Sequence, residues 1–182
     1  MSVKVSVYIA TSLDGFIARA DGNLDWLDEA NAMVPEGEDC GFGAFMSSVD
    51  TLLMGRKTYE KVLSIGIWPY GDTPVVVLSR SQISFPDHLP STVSHSSEQP
   101  TELLNRLAGE GVQHVYVDGG KTIHGYLLEG LIDEITITVI PVILGEGIPL
   151  FGLVKNDIHL THIRTTVFDF GFVQSTYAVE KE

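Results

Sequence analysis

Residues 3–10 alternate Val3, Val5, Val7 and Ile9 with Lys4, Ser6, Tyr8 and Ala10, the period of a β-strand. A turn-bearing loop follows through 11–18, and then an acidic stretch in which Asn23 or Asp25 is placed to cap a short helix containing Trp26 and Leu27. Phe42, Phe45, Met46 and Val49 recur at helical spacing within 36–50, although Gly41 and Gly43 weaken the start of that helix. The pattern then predicts a strand over 51–54, a helix over 56–64 and a strand over 74–79. The last of these contains the run Val75-Val76-Val77-Leu78, uninterrupted as expected of a strand covered on both faces in a parallel sheet. Residues 81–100 are rich in Ser, Pro and His and hold only the short run Thr92-Val93-Ser94, so they read as a surface connection. A helix over 100–109 closes at Gly109 and Gly111, and strand 113–117, helix 120–129 and strand 132–140 continue the alternation. No helical pattern remains after that. Residues 158–167 and 172–179 alternate like two antiparallel strands joined near Asp169-Phe170-Gly171. The expectation is one α/β domain over 1–182, with a helix-covered, mainly parallel sheet and an antiparallel C-terminal edge.

Two strand-to-helix junctions stand out. In Met54-Gly55-Arg56-Lys57-Thr58 an apolar run breaks at a glycine into basic and hydroxyl residues, and Val117-Asp118-Gly119-Gly120-Lys121-Thr122 does nearly the same. The first N–H groups of a helix have no intrahelical partner and sit at the positive end of its dipole. A glycine there lets the backbone approach an anion, and two such junctions suit a ligand with two phosphates.

Charge sharpens this picture. With 24 acidic against 11 basic side chains, a formal net charge of −13, the field of the molecule opposes nucleic acid and anionic membranes as partners and leaves a small-molecule substrate. Yet Arg56, Lys57, Arg80 and Lys121 all lie just beyond apolar strand-like runs. Any one of them could merely solvate a surface; the four together favour a local site for a small anion. Cys40 is the single cysteine, which excludes a disulfide framework, a zinc ribbon and a CxxC redox pair and fits a reducing cytoplasm. The polar, alternating start does not resemble a signal-peptide core, and no apolar run reaches membrane-spanning length. His159 and His162 would face opposite sides of a strand's pleat in an arrangement that makes no metal site, so no metal is expected.

Two common nucleotide fingerprints fail on spacing. A Walker A loop ending in Gly120-Lys121-Thr122 needs a glycine where Val115 stands, and neither Gly41-Phe42-Gly43 nor Gly145-Glu146-Gly147 continues into G-x-G-x-x-G. Four blocks nevertheless occur in a telling order: Ile9-Ala10-Thr11-Ser12-Leu13-Asp14-Gly15-Phe16-Ile17, Met54-Gly55-Arg56-Lys57-Thr58-Tyr59-Glu60, Val76-Val77-Leu78-Ser79-Arg80 and Val117-Asp118-Gly119-Gly120-Lys121. This ordered set resembles the dihydrofolate reductase-like superfamily. The Ser-Leu-Asp-Gly start and the segment from Val139 to Phe151 are more similar to the reductase (C-terminal) domain of the bifunctional riboflavin biosynthesis enzyme. The resemblance implies a three-layer fold, a mainly parallel central sheet with antiparallel C-terminal strands and helices on both faces. It further implies NADPH as cofactor. Gly55, Arg56, Lys57 and Thr58 then form one phosphate wall, and Gly119, Gly120, Lys121 and Thr122 the other. Ser79 and Arg80 fall at the adenosine 2′-phosphate, with Leu78 before them also cofactor-binding, and Ala10 and Ile17 beside the nicotinamide. Asp118 stands where the superfamily often has glycine, an acidic residue close to phosphates. A homodimer is implied as well, with residues 140–144 as an apolar stretch that could be interface or core.

For the chemistry, hydride transfer needs an oriented ring and a proton. Ungapped spacing back from Met54 puts Asp39 where dihydrofolate reductases carry the acid that supports protonation, a role helped by a raised pKa. Capping a solvated helix beside Glu36 and Glu38 is its competing role. Asp14 is the second catalytic candidate, with a structural role in its Asp-Gly turn as the alternative. Phe16, Trp26 and Phe42 are the candidates for substrate contact, and for Phe42 core packing competes. Between Arg19 and Arg56 there is no Lys or Arg, so neither a folate carboxylate nor a sugar phosphate is signposted. The leading expectation is an NADPH-dependent reductase of the riboflavin-reductase-like branch acting on a small heterocycle or an imine or carbonyl-like group. Authentic dihydrofolate reduction and a non-catalytic NADP-binding module are the alternatives.

Overall fold

A computed structural model describes residues 2–181. In chain order the elements are β1 (Lys4–Ser12), β2 (Phe16–Ala18), α1 (Asp25–Asn31), α2 (Phe42–Ser47), β3 (Thr51–Gly55), α3 (Arg56–Ile65), β4 (Val75–Leu78) and β5 (Val93–Ser96). They continue with α4 (Pro100–Gly109), β6 (His114–Asp118), α5 (Gly120–Leu128), β7 (Glu134–Ile140), β8 (Ile148–Pro149), β9 (Leu160–Val167) and β10 (Val173–Val179). The chain packs as two compact units, one formed by the residues up to Ser6 with Ser48–Leu131, the other by Val7–Ser47 with the residues from Ile132 on.

The first unit is a parallel sheet in the order β5-β4-β3-β6-β1, to which β1 contributes Lys4, Val5 and Ser6 opposite His114, Val115 and Tyr116. Leu52, Leu53, Met54, Val75, Val77, Val115 and Val117 are all 0% exposed, which explains why these strands read as unbroken apolar runs rather than alternating ones. Each such side chain stabilises by roughly 1.5–3 kcal/mol, so β3 and β6 form a rigid base for whatever follows them. Helix α3 packs on β3 and β4, and α5 on β6 and β3. They bury Tyr59 and Val62, and Ile123, Tyr126 and Leu127, respectively. Helix α4 starts in a capping box of Gln99 and Glu102 with Pro100 in its first turn.

Strand β5 corrects the expectation of a surface connection over 81–100, in which only the short run Thr92-Val93-Ser94 stood out. It pairs with β4 from Val75↔Val93 to Leu78↔Ser96. As an end strand of only four residues it buries just Val93 and Ser96, which leaves too weak a pattern to recognise.

The second unit follows the order β1-β7-β10-β9, with β10 antiparallel to both β7 and β9. The C-terminal antiparallel pair is therefore as the alternation predicts, and the class is α/β as expected. A small core gathers Trp26, Ala30, Ile140 and Phe172, with Leu27, Val34, Val142, Leu144 and Phe168 packed against it. Of the stretch weighed as an interface, Ile140 is thus core, whereas Ile143 is 69% exposed. Two helix boundaries differ from expectation. Neither Asn23 nor Asp25 caps α1, whose N-cap is Leu24 without a side-chain bond; Asn23 Oδ1 accepts from Asp25 N–H instead, and Asp25 binds Arg19. Helix α2 begins only at Phe42, because Cys40 (φ 55°) and Gly41 (φ 83°) are left-handed and break the helical path before it.

Candidate active site

In the first unit the register decides the geometry. Met54 pairs with Asp118 and Gly55 with Leu78, so parallel β4, β3 and β6 end level with one another. Ser79, Gly55 and Gly119 consequently emerge side by side at the carboxyl ends of the strands, where open α/β sheets bind ligands. Gly55 is the N-cap of α3 and Gly119 that of α5, and neither helix start has a side-chain cap. Two sets of unsatisfied N–H groups and two positive dipole ends thus converge.

The two junctions interlock. A β-carbon on Gly55 would lie 2.8 Å from Thr122 Oγ1, and one on Gly119 would run into the Thr58 side chain and come within 3.9 Å of Gly55 N. Gly119 also holds φ 94°, which L side chains rarely adopt. Lys57, Lys121 and Arg80 are exposed and form no ion pair among the described residues. Arg56 is turned along its helix, with Nε donating to Glu60 Oε1 at 2.7 Å. Ser79 is fixed by residues that sequence reading passed over. Its N–H donates to Ser96 O at 3.0 Å, and its carbonyl lies 2.8 Å from His95 Nε2.

Asp118, at the end of β6, accepts the Gly119 N–H at 2.8 Å. Burial of its carboxyl pushes the pKa up to about 6, against the lowering effect of that hydrogen bond. The junction therefore uses one of its own N–H groups internally and carries a carboxyl that titrates near neutrality. Tyr70 is within electrostatic range, and its phenol is pushed up first by burial and then by Asp118.

The second unit holds a cavity of about 540 Å³. Ala10, Leu27, Val34, Phe42, Ile140 and Phe172 supply apolar lining; Tyr8, Asn31, Thr138, Glu38 and Asp39 supply the polar part. Of the predicted contacts, Ala10 and Phe42 line it. Trp26 does not; it is 3% exposed in the core behind Ile140 and Phe172. Phe16 and Ile17 lie in β2, which pairs with β8 through Phe16↔Pro149, and neither lines the cavity. Gln174 and the polar lining residues Tyr8 and Thr138 were missed. Gln174 Nε2 stands 2.9 Å from Tyr8 Oη, from the Cys40 carbonyl and from Thr138 Oγ1, while the Tyr8 hydroxyl donates to the same carbonyl. The Tyr8 ring stacks on Phe45 and is tilted against Phe42. Burial raises the Tyr8 pKa, so the phenol stays neutral and this polar centre is rigid rather than titratable. Alternation gave no signal for them, because Tyr8, Thr138 and Gln174 stand at the polar positions of alternating strands.

Both candidate acids serve as acceptors. Asp39 takes the N–H groups of Gly43 and Gly41, each at 2.8 Å, which holds its carboxyl below the usual range. That is opposite in direction to the raised pKa a proton donor would want. Asp14 accepts from Ser12 Oγ at 2.7 Å, Gly145 N at 2.8 Å and Leu144 N at 3.1 Å, and is likewise lowered, chiefly by Ser12. A depressed folded pKa adds stability above the unfolded value, about 4 for Asp, and that stability is lost as pH falls through the folded pKa. Asp14→Ala is therefore expected to melt lower at neutral pH, with the difference shrinking below about pH 4. Thermal melts from neutral to strongly acid pH check this; a gap that does not change with pH would show that the carboxylate charge is irrelevant.

Comparison with known proteins gives the family and the fold. The family model described as the RibD C-terminal domain matches residues 3–173. The uncharacterized protein YwjB of Bacillus subtilis strain 168 is 40% identical over 163 residues, covering 88% of this chain and 89% of YwjB. A 2,5-diamino-6-ribosylamino-4(3H)-pyrimidinone 5′-phosphate reductase of Methanothermobacter thermautotrophicus is 27% identical over 178 residues, covering 80% of this chain and 81% of that enzyme. The crystal structure of a candidate riboflavin biosynthesis protein from Shewanella sp. PV-4 superimposes with a TM-score of 0.91 at 39% identity, covering 100% of both chains. No helix among the described residues is long and apolar enough to cross a membrane.

Proposed function

The chain belongs to the RibD C-terminal domain family, and on that premise we propose that it is a reductase that uses NADPH to reduce a C=N or C=O group of a small heterocyclic or carbonyl substrate. One observation carries the reading: two uncapped helix starts, at Gly55 and Gly119, stand side by side with Arg80 following the adjacent strand. The fit to a dinucleotide with a 2′-phosphate is chemical. The unsatisfied N–H groups, the Thr58 and Thr122 hydroxyls and the Lys57 and Lys121 ammonium groups suit a diphosphate. Ser79 and Arg80 suit a further phosphate beside it.

NADPH held by these residues would supply the hydride, and solvent would supply the proton that completes the reduced C–N or C–O group. This chain's residues bind and orient. Ala10 lines the cavity of the second unit, whose apolar walls would hold a planar substrate ring and exclude bulk water. Asp39, ionised and pinned by its two backbone N–H donors, would order water at the exposed side of that cavity. The decisive assay follows NADPH oxidation with the pyrimidinone 5′-phosphate and with dihydrofolate, alongside NADPH binding. Tight binding without turnover on any such substrate would replace the reductase reading by a binding module.

Asp118 makes a distinct prediction. Above about pH 6 its carboxylate opposes the cofactor's phosphates, and below that it is neutral. NADH affinity should therefore rise as pH falls through 6, and Asp118→Asn should flatten that dependence and tighten binding at pH 8 by about tenfold, the scale of a partly screened charge pair. NADH is the probe because it has no titrating 2′-phosphate. An unchanged pH profile in the variant would remove Asp118 from the cofactor site.

A further inference from the structure

We infer that the substrate of this chain is an uncharged ring compound carrying neither phosphate nor carboxylate, which separates it from the phosphorylated pyrimidinone of its reductase relative. The inference rests on the reductase reading above and on the electrostatics of the cavity in the second unit. No Lys, Arg or His lines that cavity among the described residues, and its only charged lining side chains are Glu38 and Asp39. Neither carboxylate can swing aside without breaking backbone contacts. Glu38 Oε1 accepts the Cys40 N–H at 2.6 Å, and both Asp39 oxygens are held by Gly41 and Gly43. Their negative charge is thus built into the turn that starts α2.

The cations elsewhere in this unit do not compensate. Arg19 is bound to Asp25 and Lys181 to Asp133, each at 2.6 Å, and neither Lys155 nor Arg164 lines the cavity. Arg164, on β9, acts on Tyr8 through its charge. A phosphate seated here would lose hydration beside two fixed carboxylates with no guanidinium or ammonium to replace it, and a folate carboxylate would meet the same difficulty. A neutral ring meets Leu27, Val34, Ile140 and Phe172 instead, with Asn31 and Thr138 available for its polar atoms.

The test uses the full chain with NADPH and one matched pair, 2,5-diamino-6-ribosylamino-4(3H)-pyrimidinone with and without its 5′-phosphate. The phosphate-free compound is expected to have a kcat/KM at least equal to that of the ester. Glu38→Gln, which keeps the acceptor for Cys40 N–H, should shift the ratio severalfold toward the ester. A preference for the ester of tenfold or more in the native chain overturns the inference, and loss of that preference in Arg164→Ala would name the missing anchor. If neither compound is reduced, the reductase reading fails, and calorimetric binding of the same pair decides the inference separately. Binding of the phosphate-free compound at least as tight as the ester supports it; tighter ester binding, or no binding of either, overturns it.

Discussion

Replacing Arg80 by alanine is expected to weaken NADPH binding by about 10- to 100-fold and to leave NADH binding nearly unchanged, because a charge-assisted pair of hydrogen bonds to phosphate is worth roughly 1.5–3 kcal/mol. The position of Arg80 supports that size of effect. It follows β4 directly, one residue beyond Ser79, and the Gly55↔Leu78 register brings that turn beside the first helix start. Its guanidinium is exposed and in no ion pair among the described residues, so no internal partner must be displaced. The backbone beneath it is held by Ser96 and His95. Lysine at this position should restore only part of the discrimination, since an ammonium cannot give paired, coplanar hydrogen bonds. Fluorescence titration with both cofactors separates the cases, and an equal loss for NADPH and NADH would falsify the assignment of Arg80 to the 2′-phosphate.

Gly119→Ala should be the most damaging single substitution in the first unit. Two penalties coincide there. The residue must hold φ 94°, ψ 131°, and its new β-carbon would enter the space of the Thr58 side chain. The conformational part alone costs about 1–3 kcal/mol, and the clash adds to it by pushing α3 and α5 apart. On the proposed reading both helix starts build the anion site, so NADPH and NADH should be lost together, by more than about 100-fold if contacts worth roughly 3 kcal/mol or more are forfeited, with a lower Tm. Gly125→Ala is the control: it lies inside α5 with no atom within 4 Å of an added β-carbon, so it should be neutral or slightly stabilising. Cofactor affinity in Gly119→Ala within threefold of the native chain would show that the junctions do not form the cradle.

Arg80 and the glycine junctions follow from local sequence, whereas their meeting does not. That Gly55 and Gly119 end apolar strands and open helices is a local property, visible because an unbroken Val/Leu run, a glycine and a helical stripe are neighbours along the chain. Arg80 was legible for the same reason. That these three turns stand side by side is not local. It depends on the pairings Met54↔Asp118 and Gly55↔Leu78, which join segments separated by up to 64 residues in the chain.

The second unit was harder to read. Alternation assigns Tyr8, Thr138 and Gln174 to positions that usually face water, yet they meet through Gln174 Nε2 at the cavity, 166 residues separating its ends. Hydropathy cannot distinguish a polar residue that faces solvent from one whose hydrogen bonds are satisfied by distant partners. The role of Asp39 was open between acid and cap; its bonds to Gly41 and Gly43 make it a cap with a depressed pKa, and they depend on a left-handed Cys40 that no propensity suggests.

By itself, then, the sequence determined the alternation of strands and helices, the two glycine junctions and the cations beside them, because each follows from the chemistry of a few consecutive residues. Only the tertiary structure decided that the junctions converge, that burial raises the Asp118 pKa to about 6, and that the cavity lining is acidic and, among the described residues, without cations. Those are properties of register, desolvation and field, which sum over residues far apart in the chain.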